Sequence, residues 1–131
     1  MVYPRPFRGR SVKLDIKDKP RKFGVGAHTI RDYGRVHFQG GEMVTLVSPS
    51  GRECDVTAMD WGFYLAPSLN VRLRAQGFKV ALVCNNQGKL FLNAVETDKI
   101  KIFDEYLQEN GNSRILYWLD DLETDQELCA G

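Results

Sequence analysis

The residue pattern predicts an α+β domain: a small antiparallel sheet, or a partly closed barrel, of about five to six strands with two short helices, carrying an extended N-terminal arm. Three observations predict it. Short stretches of alternating or wholly apolar residues, punctuated by Gly, Pro and Asn, fill the middle of the chain. Two segments have helical spacing and recognisable ends. The first third instead sets single hydrophobes among cations.

The strands begin with Val12, Leu14 and Ile16, which alternate with Lys13, Asp15 and Lys17 in the period of a half-buried or added strand. Gly24-Val25-Gly26-Ala27-His28 lacks the third glycine of a dinucleotide fingerprint and the Gly-Lys-Ser/Thr ending of a phosphate loop, so it reads as an elbow between arm and body. Residues 35–39 and 43–48 read as strands around a Gly40-Gly41 turn, and Pro49-Ser50-Gly51 closes the second. Residues 53–58 place Cys54, Val56 and Ala58 on one face, and residues 61–65 continue as a further strand after a bend at Asp60.

Ser68 is the expected N-cap of a short helix through Gln76, with Gly77 just past its end. The clearest hairpin follows. Residues 78–84 and 89–95 flank Asn85-Asn86-Gln87-Gly88, and the first strand is apolar on both faces, which predicts a central position. Thr97 or Asp98 caps a second helix that ends near Asn110-Gly111, with Ile102, Phe103, Tyr106 and Leu107 as its buried stripe. Residues 115–119 read as a last strand or a docking segment. The division expected is therefore a basic arm over 1–33, an α+β domain over 34–119 and an acidic tail over 120–131.

Charge is strongly polarised along these 131 residues. Residues 1–37 hold ten Lys/Arg against three Asp/Glu, a net +7, whereas residues 96–131 hold three against ten, a net −7. Opposed ends of this kind favour interaction surfaces. No apolar run approaches the ~20 residues of a membrane span, and cations interrupt the first thirty residues where a secretory signal would be apolar. No membrane insertion is expected, and the cytoplasm is the expected location. Three widely spaced cysteines, Cys54, Cys84 and Cys129, form no disulfide framework, and Cys54 and Cys84 read as small buried hydrophobes.

His28 and His37 lack the close ligand pairing of a metal site, so neither metal nor cofactor is implied. Ser50 and Ser68 have turn and cap roles, and no nucleophile elbow is present. The densest group of chemically versatile side chains is Asp60, Trp61, Tyr64, Asn70, Arg72 and Arg74, where rings could stack and guanidiniums could fork onto an anion. The competing reading makes the aromatics core residues, with Trp61 buried and Arg72 solvated. The arm supplies the other candidate surface through Arg5, Phe7, Arg8, Arg10, Lys13, Lys17, Arg21 and Lys22.

Three functions are therefore in view. The leading one is a non-enzymatic binding or assembly protein that docks through the basic arm to a protein partner or to copies of itself. The second uses the same arm on nucleic acid. The third is a small enzyme or anionic-ligand domain built on the Asp60 to Arg74 segment, with Asp60 as acid or base.

Overall fold

A computed structural model describes residues 12–122, in which eight strands and two helices form three small antiparallel sheets. The first is a two-stranded ribbon of β1 (Lys13–Val25) and β2 (His28–His37). The second has the order β3 (Met43–Val47), β4 (Glu53–Met59), β5 (Gly62–Tyr64). After helix α1 (Arg72–Ala75), the third sheet places β6 (Phe78–Cys84) between β7 (Leu90–Glu96) and β8 (Arg114–Trp118), with α2 (Ile100–Glu109) inserted between β7 and β8.

The alternation of β6 explains the position of the core. Phe78 and Val80 point to one side and are buried with Leu73 of α1, against Cys54, Ala66, Leu69 and Leu119. Ala81 and Val83 point to the other side and are buried with Leu107 of α2, against Phe103, Tyr106, Ile115 and Trp118. One strand is thus the shared wall of two small apolar clusters, as its two apolar faces predicted. Beyond the reach of α1 the first face continues uncovered: Leu90 and Leu92 of β7 and Tyr117 of β8 are exposed beside half-buried Leu82.

Local chemistry sets the ends of these elements. Gly77 at φ +92° ends α1 by donating to the Arg74 carbonyl, as expected. The expected N-caps do not form: Val71 precedes α1 and Lys99 precedes α2, each without a side-chain cap bond, with Thr97 and Asp98 in a 3₁₀ turn before α2, although Ser68 Oγ accepts the Arg72 N–H at 3.0 Å. Helix α1 is one turn long, shorter than expected, because Val71 at φ −124°, ψ −77° is outside helical geometry. In the β6–β7 loop, Asn85 Oδ1 accepts the N–H groups of Gln87 and Lys89, both at 2.9 Å.

Polar ties connect the second and third sheets. Arg52 donates to Glu96 at 2.8 Å and to Asp98 at 2.6 Å, while Ser50 Oγ donates to Glu96 at 2.5 Å. The hydroxyl and the guanidinium hold the Glu96 carboxyl below its ordinary pKa against the opposing effect of desolvation.

Five expectations need correction. The strands do not combine into one sheet or a partly closed barrel. β5 spans three residues and ends before Pro67, which has no N–H to extend a ladder, and β6 separately gathers both its neighbours. The Gly24 to His28 segment is the tight turn of the ribbon, because Gly26 at φ +59° lets Val25 pair directly with His28. Strand β2 consequently runs across the expected boundary between residues 33 and 34.

Ile102, assigned to the buried stripe of α2, is 64% exposed beside the free edge of β7, while Leu107 is buried and Phe103 and Tyr106 are half-buried. The acidic tail expected over 120–131 begins inside the packed body. Asp120 is 2% exposed, and its Oδ1 accepts the Val80 N–H at 2.9 Å. Residues 123–131, with Cys129, lie outside the described residues.

Candidate docking interface

The ribbon concentrates the basic residues of the described chain on a framework with an apolar side. Residues directly opposite each other in an antiparallel pair project to the same side. Leu14 faces Val36, and Phe23 faces Ile30, so each half of the ribbon has an apolar pair, with Ile16 alongside the first. All five are exposed, Leu14 at 64%. On the opposite side Lys22 faces Arg31, while Lys13 faces His37 and Asp15 faces Arg35. Like charges placed directly across a strand pair repel each other. The ribbon therefore has an apolar side, interrupted by the Arg21–Asp32 pair, that no other described residues cover, and a net cationic side on which Lys22 opposite Arg31 is unfavourable by itself.

A break in the ladder between Ile16 and Arg21 divides the two halves. Lys17 and Lys19 fall in this bulge, and Pro20, which cannot donate to a ladder, sits at its end. Asp32 closes the break by accepting the Gly34 N–H at 3.0 Å and pairing with Arg21 at 3.1 Å. That backbone donor first, and then Arg21, hold the Asp32 carboxyl below its ordinary range. Arg21 also lies over the Phe23 ring at 5.0 Å.

The tip of the ribbon rests on α2. His28 stacks at a tilt against Tyr106, 5.0 Å between centroids, and lies 3.5 Å from Glu109. Gly26 meets Asn110 so closely that a Cβ there would overlap Asn110 Oδ1. At the other end, Phe38 packs on Phe63 at 5.6 Å. Of the arm residues singled out from sequence, Lys13, Lys17, Arg21 and Lys22 are on the ribbon, and Arg5, Phe7, Arg8 and Arg10 lie outside the described residues.

The Asp60 to Arg74 segment is dispersed. Asp60 and Trp61 form the tight turn between β4 and β5, and Trp61 is 71% exposed instead of buried, because none of the described residues crosses the turn to cover it. Tyr64 is exposed opposite Thr57, and Asn70 is exposed in the loop before α1. Arg72 pairs with Asp55 at 2.6 Å, whereas Arg74 points to Asp121 at 3.2 Å and to the carbonyl and carboxylate of Asp120. The two guanidiniums thus engage carboxylates on different elements.

Sequence reasoning missed the network around Asp120. Lys79 joins it, 2.7 Å from Asp121 and 3.3 Å from Asp120, with its ammonium 5.2 Å above the Trp118 ring. Desolvation of Asp120 acts to raise its pKa, but the donated Val80 N–H and Lys79 overcome it and lower the value. A run of acids at a chain end carries no signal that its first member is buried.

Among the described residues, no three His, Cys, Asp or Glu side chains gather as metal ligands, and no helix is long and apolar enough to cross a membrane. No family model, curated protein or solved structure matches this chain.

Proposed function

We propose that the chain is a non-enzymatic binding or assembly protein that docks to a protein partner, or to copies of itself, through the basic ribbon. The observation that carries this reading is the pairing of exposed Leu14 with Val36 and Phe23 with Ile30 on one side, backed by Lys22 opposite Arg31 on the other. A two-stranded ribbon is at best marginal in water without packing, so a partner that covers the apolar side stabilises it. An acidic rim on that partner relieves the cationic repulsion. Residues 96–131 of a second copy, at net −7, offer such a charge.

Sedimentation of the full chain over a range of concentrations tests this reading, together with affinity capture by a Leu14→Asp, Phe23→Asp variant. Wild-type chain is expected to self-associate or to retain a partner, and the variant to lose it while keeping the unfolding transition of the body. A monomer at every concentration, with identical captured proteins for both chains, would sink the proposal.

A second reading has one observation in its favour. A two-stranded ribbon with cations along one side fits a DNA major groove. Retention of duplex DNA at low salt, falling steeply as salt rises, would transfer the ribbon to that role.

A further inference from the structure

Away from the ribbon's exposed faces, a cleft of about 380 Å³ opens where the ribbon tip, the β6–β7 loop and the end of α2 meet. Its volume lies at the small end of the range for small-molecule sites. The floor is apolar, formed by buried Val83 and Leu107. Phe91 of β7 stands beside them, 48% exposed.

The rim is made of carboxamides. Asn85, Asn86 and Gln87 come from the loop, Asn93 from β7 and Asn110 from the end of α2. Asn85 spends its oxygen on the Gln87 and Lys89 N–H groups, which leaves its NH2 group to donate. Asn110 turns inward: its Nδ2 donates to the Tyr106 carbonyl at 2.7 Å and its Oδ1 is buried against Gly26. It shapes the wall and leaves recognition to the others. Asn86, Gln87 and Asn93 each present a donor pair and an acceptor, and a half-buried amide such as Asn93 gains most from a ligand that supplies both.

Charge decides the ligand class. Neither Lys nor Arg lines this cleft, so nothing in its lining neutralises a phosphate or carboxylate. Among the described residues that line it, Glu109 is the one with a formal charge, and that charge is directed at His28. An entirely apolar ligand would leave the carboxamides desolvated and unpaired. A neutral ring with hydroxyl groups at its edge and C–H bonds on its face meets both demands. Hydroxyls both donate and accept, as carboxamides do, and the C–H face fits against the open ring of Phe91.

We infer that this cleft binds a neutral saccharide, with Phe91 as the stacking platform and Asn86, Gln87 and Asn93 as the hydroxyl-reading groups. The site is independent of the ribbon's docking role.

The experiment is a titration of the full ¹⁵N-labelled chain with glucose, galactose, N-acetylglucosamine and maltose, following the side-chain NH2 resonances of Asn and Gln. At least one sugar is expected to give saturable shifts at Asn86, Gln87 and Asn93 with Kd of the order of 1 mM. Phe91→Ala is expected to weaken that sugar at least about tenfold, and Asn93→Ala to weaken it without disturbing the backbone spectrum. Absence of saturable shifts with all four sugars at about 50 mM, far above that Kd, overturns the inference. Shifts unchanged in both variants overturn it as well, and so do saturable shifts with uridine alone.

Discussion

The third sheet and the ribbon use the same local pattern and end in opposite circumstances. Strand β6 is covered on both sides over much of its length, by α1 and its neighbours on one and by α2 on the other. The ribbon has comparable apolar residues at comparable spacing, yet Leu14, Ile16, Phe23, Ile30 and Val36 are exposed. Alternation determines which residues share a side; it does not determine whether anything will cover that side. Long-range partners supply the cover for β6, including Asp120, forty positions from Val80. The described chain supplies no such partner for the ribbon sides, which is why they are read as a docking surface.

This contrast can be broken first at the covered end. Leu73 is wholly buried between α1 and β6. Leu73→Ala is expected to cost about 4 kcal/mol through lost burial and the cavity left behind, measured by urea unfolding. A cost within about 0.5 kcal/mol would show that the α1 cluster does not hold the body together.

Asp120→Ala follows at about 3 kcal/mol, since it leaves the Val80 N–H without an acceptor and Lys79 short of a counter-ion. The pH dependence shares this origin. Because the folded Asp120 carboxyl titrates below its ordinary range, its contribution is present above the unfolded pKa and is lost as pH falls through the folded one. Wild-type stability should therefore fall on acidification below about pH 4, and the Asp120→Ala profile should fall less steeply there. Parallel profiles would remove Asp120 from the explanation.

The junction between the two regions comes next. Gly26→Ala forces a side chain into a left-handed backbone and against Asn110. The expected cost is about 1–2 kcal/mol, felt as faster amide exchange in β1 and β2 while β6 stays protected. Uniformly faster exchange in both would mean that ribbon and body unfold together.

The smallest effect belongs to the uncovered face. Leu14→Ser should change the stability of the isolated chain by no more than about 0.5 kcal/mol, because little is packed there to lose, while lowering docking. A core-sized loss in thermal unfolding would instead place a covering surface over the ribbon within the chain itself.

The sequence carried the local structure well because its signals are local. The central position of β6, the Asn85 to Gly88 loop, the glycine after α1 and the C-terminal limit of α2 follow from apolar runs and turn residues acting within a few positions. It misread Gly24 to His28 because a glycine that frees a linker and one that closes a hairpin have the same composition. Only pairing between β1 and β2 distinguishes them.

The sugar-binding candidate shows the same limit. The Asn85 to Gly88 run was legible as a turn, and the end of α2 as a helix stop. That both border one cleft depends on β6 and β8 bringing them together.

By itself, then, the sequence determined the polarity of charge, the identity of most strands and helices, and the residues able to make a basic surface. Tertiary structure decided that three separate sheets form, that Asp120 is interior, that Arg72 and Arg74 engage different acids, and that Trp61 is exposed. The physical reason is the range of the forces involved. Propensity and capping act over a few residues, whereas burial and ion pairing depend on groups that folding brings together from distant positions.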